Sequence, residues 1–213
     1  IARASGDEVT PLLQKIYSQP IKENLIGQRI EAIKQAGATC AVSTTPANTK
    51  RFVPVIVEAK ADVLVVSATV TSARHISKSV RGLIFEELVE QVPMPVIVGN
   101  CVSYSACLGL MRTGVSAVLI GVGPGAACTT REVLGIGVPQ VTATIDCAAA
   151  RDQYQKESGR YVPIITDGGF RKGGDFCKAI VAGADAVMIG SIFAQAEEAP
   201  GLGYHWGMAN PHA

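Results

Sequence analysis

The chain has almost no net charge and no long apolar run, and each absence excludes a class of protein. Its 213 residues carry 19 basic and 18 acidic side chains, a formal net charge of +1. This balance leaves no positive surplus for binding a phosphate backbone, so we expect no nucleic-acid partner. The apolar runs are far shorter than the about 20 residues needed to cross a bilayer. We therefore expect no membrane-spanning helix and no membrane partner.

Paired cysteine motifs are also absent. None of the six cysteines forms a C-x-x-C pair: Cys40, Cys101, Cys107, Cys128, Cys147 and Cys177. A chain of this length needs no disulfide bonds for stability, which favours a reducing, cytoplasmic location. We expect Cys107 in the core of a helix and Cys101 in a loop. The 48% hydrophobic content excludes a disordered chain and predicts one folded domain.

Short β-branched runs recur along the chain and stop at small or polar residues. They cover residues 40–43, 63–66, 96–99, 118–121, 162–166 and 187–190. Continuous apolar runs of this kind are typical of parallel strands buried on both faces. Amphipathic stretches lie between most of them, and two end at Gly37 and Gly183, where a glycine C-cap is predicted. Residues 113–121 and 182–190 repeat one pattern, so we predict successive βαβ units.

Six units fit either a doubly wound open sheet or part of a (β/α)8 barrel. A doubly wound sheet usually has a phosphate-binding glycine turn after its first strand, but here the run leads into Ser43. A barrel places a phosphate site after its last two strands, and here Asp167-Gly-Gly and Gly190-Ser191 occupy those places. We predict a TIM barrel with strands three to eight present. The sequence begins at Ile1, with neither an initiator Met nor a signal-peptide pattern. With six of eight barrel strands counted, we expect residues 1–213 to be one domain that is incomplete at both ends.

One loop combines glycines with reactive side chains. Residues 121–131 follow a strand and contain three alternating glycines, then Cys128, two threonines and Arg131. Backbone N–H groups and nearby cations favour a thiolate, which is the nucleophilic form of cysteine. A small core thiol in a glycine-rich turn is the alternative. For Arg131, a phosphate and a surface carboxylate are both open as partners.

Several of these segments resemble the IMP dehydrogenase / GMP reductase family. They are residues 123–131, 166–169, 182–191 and 207–208, in that order. Residues 132–139 and 197–207 are most similar to the IMP dehydrogenase-related subfamily, which has no CBS-domain insert, and residues 1–36 contain none. The resemblance covers nearly the whole chain.

The resemblance implies a covalent mechanism. Cys128 corresponds to the nucleophile that attacks C2 of inosine 5'-monophosphate (IMP), so that a hydride passes to NAD and a thioimidate remains. Water then releases xanthosine 5'-monophosphate (XMP), and Thr130 corresponds to a hydroxyl that helps this step. The carbonyls of Gly123, Gly125 and Cys128 correspond to a K⁺ site.

The resemblance also assigns binding residues. Asp167 corresponds to the carboxylate on the ribose, and Met208 and Ala209 to the backbone that reads the base. The phosphate and cofactor positions are Gly168, Gly169, Gly190, Ser191, either Tyr204 or His205, and, for NAD, Ser67, Asn100 and Gly121. The family assembles as tetramers or octamers.

Three positions depart from the family pattern. The strand ending at Ser67 lacks the aspartate that usually holds the nicotinamide ribose. Ala126 stands where many members have a phosphate-binding serine. The flap that carries the arginine base would lie beyond Ala213. The alternatives to IMP oxidation are therefore GMP reduction with NADPH and purine-nucleotide binding with weak or lost catalysis. A flavin- or phosphosugar-binding barrel would share the phosphate loops but leaves Cys128 unexplained.

Overall fold

The computed structural model describes residues 1–74 and 82–205, and these contain one parallel sheet. Its strands are β1 Ala41–Thr44, β2 Val63–Ser67, β3 Val96–Cys101, β4 Ala117–Ile120, β5 Ile164–Asp167 and β6 Ala186–Met188. Each corresponds to one of the six predicted runs. Cys101, expected in a loop, is instead the last residue of β3.

The strand order decides between the two predicted architectures. The order is β1-β2-β3-β4-β5-β6, with every neighbouring pair parallel. A doubly wound sheet reverses its strand order near the middle, because its crossovers run in two directions from a central strand. A sequential, curled sheet is the arrangement of a barrel wall. The α/β class and the barrel-like winding are confirmed.

Helices connect successive strands, as parallel pairing requires. Their bounds are α1 Gly6–Tyr17, α2 Glu23–Gln35, α3 Pro46–Glu58, α4 Phe85–Gln91, α5 Tyr104–Arg112, α6 Thr130–Val133, α7 Gln140–Ser158, α8 Gly173–Val181 and α9 Ser191–Ala194. The predicted glycines follow α2 and α8, with φ of 76° at Gly37 and 104° at Gly183. Across the described ranges, no helix combines the length and apolarity that a bilayer crossing needs.

The core lies between the sheet and the helices that cover it. All four residues of β4 are buried. Val118 and Ile120 belong to the cluster under the helices, whereas Leu119 packs on the opposite face, directly against Gly99 of β3. A Cβ at Gly99 would collide with Leu119. The central strand is therefore buried on both faces, as its continuous apolar run predicts.

A polar link recurs at the amino ends of the strands. Three side chains that precede β2, β4 and β6 each accept a hydrogen bond from the first N–H of the neighbouring strand region. These bonds run from Cys40 to Asp62 at 2.8 Å, from Val96 to Ser116 at 3.2 Å, and from Ile164 to Asp185 at 2.8 Å. Ser116 and Asp185 occupy the same place in the repeated segments 113–121 and 182–190, and both therefore have a structural role. They lie at the amino ends of the strands, whereas the candidate site lies at the carboxyl ends.

Candidate functional site

The carboxyl ends of β3 and β5 are joined by a side-chain hydrogen bond. Asn100 Nδ2 donates to Asp167 Oδ2 over 2.8 Å, across the intervening strand β4. Both side chains are half-buried. Burial raises the pKa of the Asp167 carboxyl, and the hydrogen bond from Asn100 opposes this rise by stabilising the charged form. The predicted ribose ligand and a predicted cofactor ligand therefore form one unit.

The cysteine loop follows β4 at the same edge of the sheet. Cys128 N–H donates to the Gly125 carbonyl over 3.0 Å, which folds the loop into a tight turn. Cys128 is exposed, and its Sγ lies 3.2 Å from the hydroxyl of Thr130, which is buried. The thiol is therefore accessible from solvent and lies within hydrogen-bond distance of a hydroxyl. The alternative of a buried packing cysteine is excluded.

Arg131 binds the loop that carries it. Its Nε donates to the Val122 carbonyl over 3.0 Å and its Nη2 to the Val138 carbonyl over 2.6 Å. A Cβ at Gly123 or Gly137 would lie only 2.9 or 2.7 Å from the Arg131 side chain. The Arg131 guanidinium thus connects the two ends of the loop through two backbone carbonyls.

Gln140 is a site residue that the sequence reasoning missed. Its Nε2 donates to the carbonyls of Ile120 at 2.7 Å and Asp167 at 3.1 Å, joining the ends of β4 and β5. Gly121, predicted to contact cofactor, is buried under this amide, since a Cβ there would lie 2.5 Å from Nε2. The available signal was the Val-Pro-Gln sequence, which places Gln140 at the first position of α7.

The two glycines after Asp167 allow two loops to touch. Gly168 and Gly169 have φ of 86° and 88°, and Cβ atoms there would press on Pro124 of the cysteine loop at 3.3 and 3.2 Å. The N–H of Gly168 donates to the Met188 carbonyl over 3.1 Å. The Gly168 N–H therefore joins the turn after β5 to the end of β6.

The second predicted phosphate loop contains a paired hydroxyl and imidazole. Ser191 Oγ lies 3.1 Å from His205 Nε2. The neighbouring Tyr204 side chain is exposed, and it is His205 that pairs with Ser191. A Cβ at Gly190 would meet nothing within 4 Å, so the space beside this turn is open. Met208 and Ala209 lie outside the described residues.

Ser67 lies at the end of β2, farther along the same edge. Its Oγ is 3.4 Å from Ser43 Oγ at the end of β1. The backbone connects this position to Asn100, because Asn100 N–H donates to the Ala68 carbonyl over 3.0 Å. The structure thus places Ser67, Asn100, Cys128, Asp167 and Ser191 at or just beyond the carboxyl ends of the strands, which is the functional end of barrel folds.

Known proteins resemble this chain in sequence and in structure. The family model for the IMP dehydrogenase / GMP reductase domain matches residues 26–207. An uncharacterized oxidoreductase of Mycolicibacterium smegmatis is 39% identical over 94% of the chain and 54% of its own length. An inosine-5'-monophosphate dehydrogenase of Pasteurella multocida is 42% identical over 76% of the chain and 31% of its own length.

A solved structure agrees with these sequence relatives. The crystal structure of an IMP dehydrogenase/GMP reductase-like protein from Corynebacterium glutamicum matches with a TM-score of 0.81 and 37% identity, over 92% of the chain and 53% of that chain. The chain spans about half the length of the relatives that match it over most of its length. A family match over residues 26–207 and this shared fold lead to one conclusion: the chain belongs to the IMP dehydrogenase / GMP reductase family.

Proposed function

We propose that this protein is an oxidoreductase that converts IMP to XMP with NAD⁺ through a covalent intermediate at Cys128. The observation that carries the proposal is the exposed Cys128 thiol, 3.2 Å from Thr130, on a loop that packs against the turn after Asp167. Family membership supplies the reaction class, and this geometry brings the thiol, the hydroxyl and the ribose carboxylate to one end of the sheet.

The proposed reaction has two halves. In the first, the Cys128 thiol loses its proton, its sulfur forms a bond to C2 of the purine, and the hydrogen on C2 leaves as hydride. Bound NAD⁺ would supply the acceptor for this hydride. In the second, water adds to C2, the carbon–sulfur bond breaks, and the thiolate regains a proton. Thr130 is placed to exchange a proton with either sulfur or water, since its hydroxyl is buried next to Sγ.

The nucleotide would be held by groups from neighbouring strands. The Asp167 carboxylate accepts hydrogen bonds from the ribose hydroxyls, and Asn100 fixes the orientation of that carboxylate. Gly169 N–H, Gly190 N–H and the Ser191–His205 pair supply donors for the phosphate. His205, rather than Tyr204, is our choice for the phosphate contact because it lies against Ser191. Met208 and Ala209 remain the proposed readers of the base.

Two further groups fit residues that are present. The carbonyls of Gly123, Gly125 and Cys128 would hold K⁺; the Gly125 oxygen already accepts one hydrogen bond and keeps a second lone pair. Ser67 and Asn100 would bind NAD⁺, the hydride acceptor. Gly121 does not fit a cofactor contact, because Gln140 covers it.

The same proposal includes a complete barrel in the full-length protein. Each edge strand, β1 and β6, pairs on one side within the described residues. An apolar groove of about 480 Å³ follows β1 and α2, lined by Ile26, Ile30 and Val42 among others. Near β6, Val181 and Phe193 are exposed. Two further βα units would pair with both strands and cover these surfaces, removing the exposed edges that natural sheets avoid. We also retain a tetramer or octamer as the predicted assembly.

A direct assay tests the reaction. Full-length protein is incubated with IMP, NAD⁺ and K⁺, and NADH is followed by absorbance with XMP identified by chromatography. We expect turnover that Cys128→Ala abolishes and that Cys177→Ala, at the other exposed cysteine, preserves. Full turnover by Cys128→Ala would exclude the assigned nucleophile. Product formation from GMP and NADPH, with none from IMP, would instead establish a GMP reductase.

One observation favours a second candidate, a purine-nucleotide-binding protein without turnover. β2 ends at Ser67 and is followed by Ala68 and Thr69, none of which offers a carboxylate for the nicotinamide ribose. Calorimetry separates the candidates: IMP binding without NAD⁺ binding or turnover at millimolar cofactor establishes the binding protein. Binding of both ligands with NADH production excludes it.

A further inference from the structure

Three cysteines meet in the core behind the candidate site. Cys101 lies on β3, Cys107 on α5 and Cys147 on α7. All three are at most 1% exposed, and their Sγ atoms all lie within 4.8 Å of one another. No step of the proposed reaction uses them. The fold, rather than a local motif, assembles the group, because each thiol comes from a different element.

Backbone carbonyls hold two of the three thiols in place. Cys107 Sγ lies 3.8 Å from the Cys147 carbonyl, and Cys147 Sγ lies 3.8 Å from the Ser103 carbonyl at the start of α5. The two helices therefore hold each other's thiols. The thiolate is the form of cysteine that binds metal, so each of the three thiols must lose its proton when a metal binds.

We propose that Cys101, Cys107 and Cys147 form an all-sulfur site for cuprous copper. Thiolate sulfur selects soft ions such as Cu⁺ and Zn²⁺ over Mg²⁺ and Ca²⁺. Zinc sites in proteins almost always have four ligands, and among the described residues no histidine or carboxylate joins this group of three. Three sulfurs without a fourth ligand suit the lower coordination number of Cu⁺.

The observed spacing is close to what a metal requires. A metal–sulfur bond of about 2.3 Å, the length found with zinc, places three sulfurs around a planar centre about 4 Å apart. The sulfurs lie within 4.8 Å, so each must shift inward by well under 1 Å. The apolar surroundings exclude competing water, and coordination to the metal would stabilise the buried thiolates.

Binding involves no oxidation or reduction. Copper enters and stays as Cu⁺, three copper–sulfur bonds form, the three S–H bonds break, and the three protons pass to solvent. Cys101 directly follows Asn100, and its carbonyl accepts a hydrogen bond from Gly121 N–H over 3.0 Å. Metal binding would therefore affect both the Asn100–Asp167 pair and the start of the Cys128 loop, although no step of the proposed reaction uses the metal.

The test uses full-length protein carrying Cys128→Ser and Cys177→Ser, which removes both exposed thiols. Cu⁺ is added anaerobically in competition with a chromogenic Cu⁺ chelator, and X-ray absorption identifies the ligands. We expect one tightly bound Cu⁺ per chain with three sulfur ligands. Cys107→Ala should weaken binding by at least about tenfold, the lower bound seen on losing even an indirect partner of a metal. Cys40→Ala, at a buried cysteine outside the group, should leave it unchanged.

Several results would overturn the site. They are chelator removal of all copper from the parent protein, nitrogen or oxygen ligands in its absorption spectrum, or equal affinity in Cys107→Ala and the parent. Circular dichroism checks that each variant is folded. If Cys107→Ala unfolds, Cys147→Ser replaces it, and the ligand identity measured on the parent protein decides the question without any core substitution.

Discussion

Asn100 Nδ2 donates a hydrogen bond to Asp167 Oδ2 over 2.8 Å and so connects the ends of β3 and β5. This contact fixes the carboxylate that we propose binds ribose, in a half-buried position where its charge is poorly solvated. The site thereby retains an ionised group at a cost in stability, which an incoming hydroxyl donor can offset.

Replacing Asp167 by Asn should stabilise the nucleotide-free protein at neutral pH. Burial raises the pKa of Asp167, so the ionised carboxylate opposes folding above that raised pKa, and the penalty disappears below the ordinary carboxyl pKa of about 4. The stability advantage of Asp167→Asn should therefore shrink as pH falls through this window. Urea unfolding at several pH values measures it, and an advantage that grows on acidification would contradict the assignment.

The same Asp167→Asn variant should bind nucleotide more weakly. Losing a charged hydrogen bond costs about 1.5–3 kcal/mol, or about 10- to 150-fold in IMP affinity. Calorimetry with IMP measures the change. Asp175→Asn serves as the control, because Asp175 caps the start of α8 through Arg171 and Lys172 N–H groups and lies away from the proposed ribose contact. An equal loss in both variants would contradict the proposed role.

Gln140→Ala should destabilise the fold and disturb the site together. The Ile120 and Asp167 carbonyls would lose their shared donor, at about 1–3 kcal/mol for partners left unsatisfied. Urea unfolding measures the loss. Gln155→Ala, at an exposed position of the same helix, should change stability by less than about 0.5 kcal/mol. Equal stability of Gln140→Ala and Gln155→Ala would show that the amide does not join the strands.

Arg131→Ala should loosen the cysteine loop. The Val122 and Val138 carbonyls lose the guanidinium that connects them, so the intervening segment should open more often. We expect faster limited proteolysis within residues 122–138 than in the parent protein. Arg171→Ala, at an exposed arginine outside this loop, is the control and should be cleaved at the parent rate. Unchanged cleavage in Arg131→Ala would assign the loop's order to its glycines and proline instead.

Asp185→Ala should be strongly destabilising although it lies far from the site. Its carboxylate accepts hydrogen bonds from Ile164 N–H at 2.8 Å, from Arg151 at 2.9 Å and from the Tyr161 hydroxyl. Leaving these donors unpaired should cost about 2–3 kcal/mol. Asp152→Ala breaks a more exposed pair with the same arginine, 57% exposed at the carboxylate, and should cost under about 1 kcal/mol. Thermal unfolding compares the two, and the reverse order would contradict the recurring strand link.

Much of the fold was predictable because its signals are local. The run 63–66 and strand Val63–Ser67 begin at the same residue, and β3 begins where its apolar run does. A strand buried on both faces leaves a continuous apolar signature, and a helix that ends in a left-handed residue leaves a glycine. Cys101 was misplaced because the run 96–99 ended at Gly99, whereas β3 continues to Cys101.

Parts of the site were not predictable because they depend on contacts between distant segments. Gln140 donates hydrogen bonds to residues that lie 20 and 27 positions away. No neighbouring residue in the sequence indicates that its amide joins two strands. The sequence left the partner of Arg131 open between a phosphate and a carboxylate, and it gave no sign that the closed loop would bring two backbone carbonyls to the guanidinium. Cys101, Cys107 and Cys147 meet through the packing of β3, α5 and α7.

The sequence by itself determined the order of strands and helices, the barrel-like class and the family, because periodicity and short motifs are written in neighbouring residues. Only the tertiary structure decided what individual side chains do. From the sequence, Gly121 is predicted to contact the cofactor and Gly168 the phosphate. In the structure, Gly121 leaves room for Gln140 and Gly168 leaves room for Pro124. The physical reason is that a glycine's purpose depends on which atom would meet its missing Cβ, and packing brings that atom from another part of the chain.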